Sequence, residues 1–169
     1  MQRLIRPAYS NKQMQREENR SGAAMVEFAV MIPLFVMVML GSYEIGNALE
    51  LCHTLESAVR EGGRLVAMDF STVVPNGMTV NEKVIADIKN FLIASGLNGS
   101  KVTITLTSAE ASNLGAAFDI SDPANEYKMV KIKVSMKYED RYGKASLYMK
   151  GQTISRYLIF RVGKVSLYS

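Results

Sequence analysis

The 169-residue chain has one cysteine, one histidine, four prolines and no tryptophan. Cys52 by itself excludes an intramolecular disulfide and a cysteine-rich metal site. His53 by itself excludes a zinc centre built from several imidazoles. The sequence contains no G-x-S-x-G, no H-E-x-x-H, no P-loop and no Rossmann fingerprint. Asp119, Asp122 and Glu126 lie close together, but without the frame of a calcium hand. The expectation is therefore no enzyme: no catalytic residue, no metal and no cofactor. Charge is scarce in the body of the chain as well. Residues 1–22 hold five basic and two acidic groups, +3, whereas the other 147 residues hold 15 basic and 14 acidic groups, +1. A nucleic-acid-binding body would need a basic face on its folded part, so nucleic acid is not an expected partner.

Hydrophobic residues are abundant and concentrated. Phe28–Leu40 runs thirteen residues without a polar side chain, and Ala23–Tyr43 contains a single charge, Glu27. As a helix that block covers about 30 Å at roughly 1.5 Å per residue, the thickness of a bilayer core. The basic flank precedes it, which places the N-terminus in the cytoplasm and the C-terminal body outside. Two plain readings exist, a cleaved secretory signal and an uncleaved single-pass anchor. The residues after the run, Gly41–Ala48, offer no A-x-A cleavage pattern. Neither reading accounts for Glu27, since a carboxylate in such a run costs roughly 2.5–3.5 kcal/mol on insertion scales. Snorkelling to the cytoplasmic headgroups remains open for it, five residues from Gly22.

The order of residues around Glu27 is more specific: a charged leader ending in Gly22, four apolar residues from Ala23 to Val26, then Glu27 and Phe28. This resembles the processing site of type IV prepilins, which a membrane aspartic peptidase cuts after the glycine. The stretch Arg20–Met68, about 49 of the 169 residues, is similar to the TadE-like family of pseudopilins from tight-adherence (Tad, Flp) pilus systems. The matching residues are Val26-Glu27-Phe28-Ala29, Pro33, Glu44-Ile45-Gly46 and Ala58-Val59-Arg60-Glu61-Gly62-Gly63-Arg64. The related TadF-like proteins share this architecture. Gly63 stands where Ala is usual, adding about 1 kcal/mol of helix cost and making a kink or fray expected there. The resemblance implies processing between Gly22 and Ala23, an assembly role for Glu27 and Phe28, and a helix kink at Pro33. Glu27 would pair, across subunits, with the ammonium that cleavage leaves on Ala23. The implied partners are a prepilin peptidase, other Tad pilins and pseudopilins, the pilus assembly platform in the inner membrane, and the lipid bilayer.

Beyond the apolar run the helix is expected to continue to about Met68. Its apolar face would be Ile45, Ala48, Leu49, Cys52, Leu55, Ala58, Val59 and Val66, with Glu56 and Arg60 paired on the other face. Cys52 reads as a packed small hydrophobe. His53 points about 100° away from it on a helix, which argues against a Cys-His pair. Pro75-Asn76-Gly77 signals a turn, and Thr79 with Glu82 a capping box. Val80, Val84, Ile88, Phe91 and Leu92 form a second amphipathic helix ending at Gly96. Lys101–Thr107, Tyr127–Glu139 and Gln152–Val162 alternate as strands. Between the first two strands, Ser108–Glu126 reads as a long loop, functional or mobile. The stripe Lys131, Lys133 and Lys137 is read as a solvated, edge-protecting sheet face rather than a polyanion site.

The expected fold is α+β: a long N-terminal stem helix and a small head with one helix and an antiparallel sheet of about three strands. The expected divisions are a leader 1–22, a transmembrane part 23–43, an extramembrane part 44–70 and a periplasmic head 71–169. Three function classes follow. One is a processed minor pilin or pseudopilin of an adhesive Tad-type pilus. The second is an uncleaved inner-membrane protein whose head binds a ligand or partner. The third is a secreted adhesin.

Overall fold

A computed structural model describes residues 11–68, 74–75 and 77–163, with side chains from Gly22 onward. The first ten residues of the expected leader and Asn76 of the expected turn lie outside these. The chain divides into two compact units, 1–43 and 44–169. One helix, α1 (Asn11–Ala67), contributes to both.

Helix α1 starts earlier than the expected Ala23. Gln13–Arg20 is made largely of good helix formers, and one interior glycine, Gly22, costs only about 1 kcal/mol, too little to end the helix. In the first unit every residue from Gly22 to Leu40 is exposed, including Phe28, Leu34 and Phe35. A helix that long, apolar and unburied has the length and composition to cross a membrane.

The second unit is the α+β head. It holds the last part of α1, then α2 (Val80–Ala94), β1 (Val102–Ser108), β2 (Met129–Lys137), the five-residue helix α3 (Tyr138–Tyr142) and β3 (Thr153–Arg161). The sheet is an antiparallel meander in the order β1-β2-β3. Its register aligns Val102, Met136 and Ile154 in one inward row, and Leu106, Ile132 and Leu158 in another. Val130, Ile132, Val134 and Met136 of the central strand are all buried, as alternation requires of a strand with one face on a core. The outer face carries Lys131, Lys133 and Lys137, and the Lys131 ammonium lies 4.2 Å from the Tyr157 ring centroid.

Helix α2 begins as expected. The Thr79 hydroxyl accepts from the Glu82 amide, and the Glu82 carboxylate accepts from the Thr79 amide at 2.9 Å. Those bonds hold the Glu82 pKa below its ordinary value against a smaller effect of burial. The helix ends with Gly96 at φ +79°, its amide bonded to the Ile93 carbonyl and that of Leu97 to the Leu92 carbonyl. This is a glycine-requiring C-terminal motif.

Leu51, Leu55, Ala58, Val59 and Val66 of α1 join Val84, Ile88 and Leu92 of α2 and the inner face of β2 in one core. Each such side chain contributes roughly 1.5–3 kcal/mol by leaving water. Cys52 packs at the margin of this cluster, and Arg60 pairs with Glu56, both as expected.

Three expectations are corrected here, and a fourth gains detail. Ile45 and Leu49 are not on the buried face: they are 59% and 52% exposed, and the buried line runs Glu44, Ala48, Leu51, Leu55. Gly63 does not fray the helix, which continues to Ala67. It is buried, and a Cβ there would lie 2.0 Å from Phe160 Cζ, so the ring of β3 occupies the space a side chain would need. Ser108–Glu126 is a long loop as expected, with one short 3-10 turn at Pro123–Asn125, but it contributes to the core. Phe118 and Ile120 are buried, held by the Asn81 side chain, which donates to the Phe118 carbonyl and accepts from the Ile120 amide. Finally, β2 stops at Lys137. Tyr138 is buried as expected but opens α3, its ring centroid 4.9 Å from that of Tyr142.

Candidate functional site

The residues singled out from sequence fall in the first unit, on α1. Gly22 sits inside the helix with open space where a Cβ would stand. Ala23, Glu27 and Phe28 are exposed, and Pro33 lies within the helix. Pro33 removes one backbone donor from the α1 ladder, a change that membrane helices tolerate. Glu27 is a lone carboxylate on an otherwise apolar surface shared with Val26, Val30 and Met31. Such a group has two chemical uses, a headgroup contact or an ion pair with a cation supplied by another chain.

The head contains a second polar feature, at a residue the sequence offers only as part of Glu44-Ile45-Gly46. Glu44 is 7% exposed, and among the described residues it and Ser108 are the buried polar side chains. Its carboxylate accepts from the Leu147 amide at 2.6 Å, the Tyr148 amide at 2.8 Å, the Met149 amide at 3.0 Å and the Ser146 hydroxyl at 2.8 Å. Three successive amides converging on one carboxylate form an anion-binding nest, here filled by the chain's own side chain. Burial alone would push the Glu44 pKa up. The amides of Leu147 and Tyr148, the Ser146 hydroxyl and the Met149 amide outweigh it and hold the pKa below the ordinary value of 4.5. One turn further on, the Tyr142 hydroxyl donates to the Asn47 carbonyl at 3.0 Å. Burial first, and then the charge of Glu50, raise the Tyr142 pKa, so the phenol stays neutral and remains a donor.

A local signal for Glu44 did exist. It occupies the first position of the buried spacing 44, 48, 51, 55, where an acid must have partners. The sequence does not reveal that those partners lie about a hundred residues later.

The conspicuous Gly62-Gly63 pair is also explained by packing. A Cβ on Gly62 would lie 2.5 Å from Ile88 of α2, and one on Gly63 would strike Phe160 of β3. The two glycines let α1 approach both layers of the head. No cluster of three or more His, Cys, Asp or Glu side chains suited to a metal occurs among the described residues. Asp119 and Asp122 instead accept from the backbone amides of Ser121 and Ala124.

An apolar helix long enough to cross a bilayer, whose last part packs in a small α+β head, suggests a single-pass membrane protein. Residues 22–64 match the TadE-like protein family, about a quarter of the chain and the part that includes Gly22, Glu27, Pro33, Glu44 and Gly62-Gly63. This match supports a pilin-like protein associated with a Tad pilus. No curated protein and no solved structure matches the chain significantly.

Proposed function

We propose that the chain is a minor pilin or pseudopilin of a Tad-type adhesive pilus: a structural subunit, not an enzyme, cut between Gly22 and Ala23 by a prepilin peptidase. After cleavage the subunit stays in the inner membrane through residues 23–43 with its head in the periplasm. It then associates with other pilins at the assembly platform. Glu27 supplies the carboxylate that pairs with the new Ala23 ammonium of a neighbouring subunit, and Phe28 packs beside it. The observation that carries this reading is the match over residues 22–64, which begins at the glycine of the proposed cut.

Helix α1 running from Asn11 through Gly22 favours a second reading, an uncleaved membrane-anchored protein. A peptidase must free the Gly22 carbonyl from the helical ladder before it can attack. Glycine makes that local unwinding easier by about 1 kcal/mol relative to alanine. N-terminal sequencing of the full chain, produced with and without a prepilin peptidase, separates the two. Ala23 at the terminus only when the peptidase is present supports the pilin. An intact leader with the peptidase present refutes it. Gly22→Leu is expected to block the cut.

A further inference from the structure

The segment that Glu44 holds, Gly143–Gln152, has an exposed surface unlike its neighbours. Leu147 is 67% exposed and Tyr148 53%. Lys144 and Lys150 flank them, both exposed, and no acidic residue occurs in the segment. Its conformation is fixed. Glycines at φ +84° (Gly143) and +74° (Gly151) bound it, and the Gly151 amide donates to the Glu139 carboxylate at 2.7 Å. Three of its amides end on Glu44. An aliphatic residue and a tyrosine between two lysines is the composition of a membrane-interface anchor: the ring and alkyl groups enter the headgroup region and the ammonium groups meet phosphate.

The position of Glu44 in the chain supplies the occupant. Glu44 follows directly on Tyr43, the exposed tyrosine that closes the apolar run. One residue is roughly 1.5 Å of helix rise, and each headgroup layer is roughly 6 Å thick. The carboxylate that gathers Leu147, Tyr148 and Met149 therefore belongs to the first residue leaving the hydrocarbon core. We propose that the loop Gly143–Gln152 rests on the phospholipid headgroups where the helix emerges, with Leu147 and Tyr148 in the interface and Lys144 and Lys150 on anionic lipid phosphate. On this reading Glu44 holds the loop in the conformation that presents Leu147 and Tyr148 to the lipid. The inference rests on residues 23–43 crossing the bilayer.

The absence of tryptophan makes the test direct, because each substitution creates a sole tryptophan that can be excited selectively beside the eight tyrosines. The full chain is reconstituted in vesicles of three parts phosphatidylcholine to one part phosphatidylglycerol, with bromine placed on the lipid chains at shallow or deep positions. Phe35→Trp reports on the span, Leu147→Trp and the milder Tyr148→Trp on the loop, and Leu114→Trp on a 73% exposed position elsewhere in the head. The expected result is deep quenching of Phe35→Trp, blue-shifted emission with shallow quenching at 147 and 148, and neither at 114. Emission at 147 and 148 that matches 114 while Phe35→Trp is quenched overturns the loop proposal alone. No quenching of Phe35→Trp overturns the membrane-spanning reading with it. A blue shift at 147 and 148 without quenching shows a protein surface covering the loop and also overturns the proposal. Lys144→Glu with Lys150→Glu is expected to abolish the extra quenching that phosphatidylglycerol adds over pure phosphatidylcholine. Retention of that increment overturns the assignment to anionic lipid.

Discussion

Between Gly22 and Leu40 of α1 every residue is exposed, and between Glu44 and Val66 ten are buried. The two stretches belong to one helix and differ in what they give the rest of the chain. The first is apolar around the helix apart from Glu27. The second narrows to one buried line, broken by a carboxylate at its start and two glycines near its end. A helix hydrophobic all round fits lipid or a bundle of similar helices, whereas a striped one fits a folded layer of its own chain. The same contrast explains why the acids differ. Glu27 is exposed on the apolar stretch, and in the proposed pilin its partner is another subunit. Glu44 finds four donors within its own unit.

The sharpest way to break this contrast is at Glu27. If its partner is the Ala23 ammonium of a neighbour, Glu27→Leu removes one member of a buried ion pair, at a cost of about 3–5 kcal/mol. At about 1.4 kcal/mol per factor of ten, subunit association falls by roughly two to three powers of ten. The variant is expected to be processed and to stay in the membrane, but not to co-purify with its pilin partners after shearing. Glu27→Asp should fall between the two. Equal assembly of the Leu variant would leave Glu27 a tolerated interface residue.

Next in size is a paired truncation. Leu55→Ala is expected to destabilise the head by about 2–5 kcal/mol, since Leu55 is fully buried in its core. Phe35→Ala is expected to leave head unfolding unchanged. Denaturant unfolding in detergent, read by tyrosine fluorescence, checks both. A comparable loss from Phe35→Ala would mean that the first stretch packs on the head after all.

Gly63→Ala tests whether the close approach of α1 to β3 requires a glycine. The added methyl meets the Phe160 ring, and overpacking of this kind costs about 1–3 kcal/mol, partly offset by about 1 kcal/mol of helix propensity. The double variant Gly63→Ala, Phe160→Leu should recover part of the loss. If the single variant is as stable as the parent protein, the ring swings aside freely and the close approach is incidental. A smaller change is expected at the helix cap: Thr79→Ala should cost about 1 kcal/mol, visible as a lower unfolding midpoint with an unchanged denaturant slope.

The finest effect is one of pH. The folded-state pKa of Glu44 is depressed, so its contribution is present above the ordinary value of 4.5 and fades as pH falls through the lower folded value. The stability gap between the parent protein and Glu44→Gln is therefore expected to be full at pH 7 and to narrow below pH 4.5. A gap independent of pH would mean that hydrogen-bond geometry alone, not the charge, holds the loop.

Features decided by neighbouring residues could be read directly from the sequence. The Thr79–Glu82 cap, the alternation of Val130 to Met136 and the apolar run to Leu40 each depend on spacings of a few residues, and each stands as read. The inward face of α1 was only partly legible. Ala48, Leu55, Ala58, Val59 and Val66 were placed inward correctly, but hydrophobicity favoured Ile45 and Leu49 where the structure buries Glu44 and Leu51. In the same way Ser108–Glu126 looked irregular because its two core residues, Phe118 and Ile120, sit in no period, and the Asn81 side chain that holds them comes from α2. The Gly22–Glu27 arrangement was fully legible as a pattern, since it is local, and its meaning depends on partners outside this chain.

The sequence by itself determined the elements: a helix too apolar for water over residues 23–43, a capped second helix and alternating strands. Side-chain period, capping chemistry and hydropathy act within a few residues and need no fold to operate. Only the tertiary structure decided that Glu44 would be the buried acid, that its donors would be the amides of residues 147 to 149, and that Gly63 would lie beneath Phe160. Those are pairings across about a hundred residues. They are set by which surfaces meet when the core closes, because a buried carboxylate must find donors and a close approach must find a residue without a side chain.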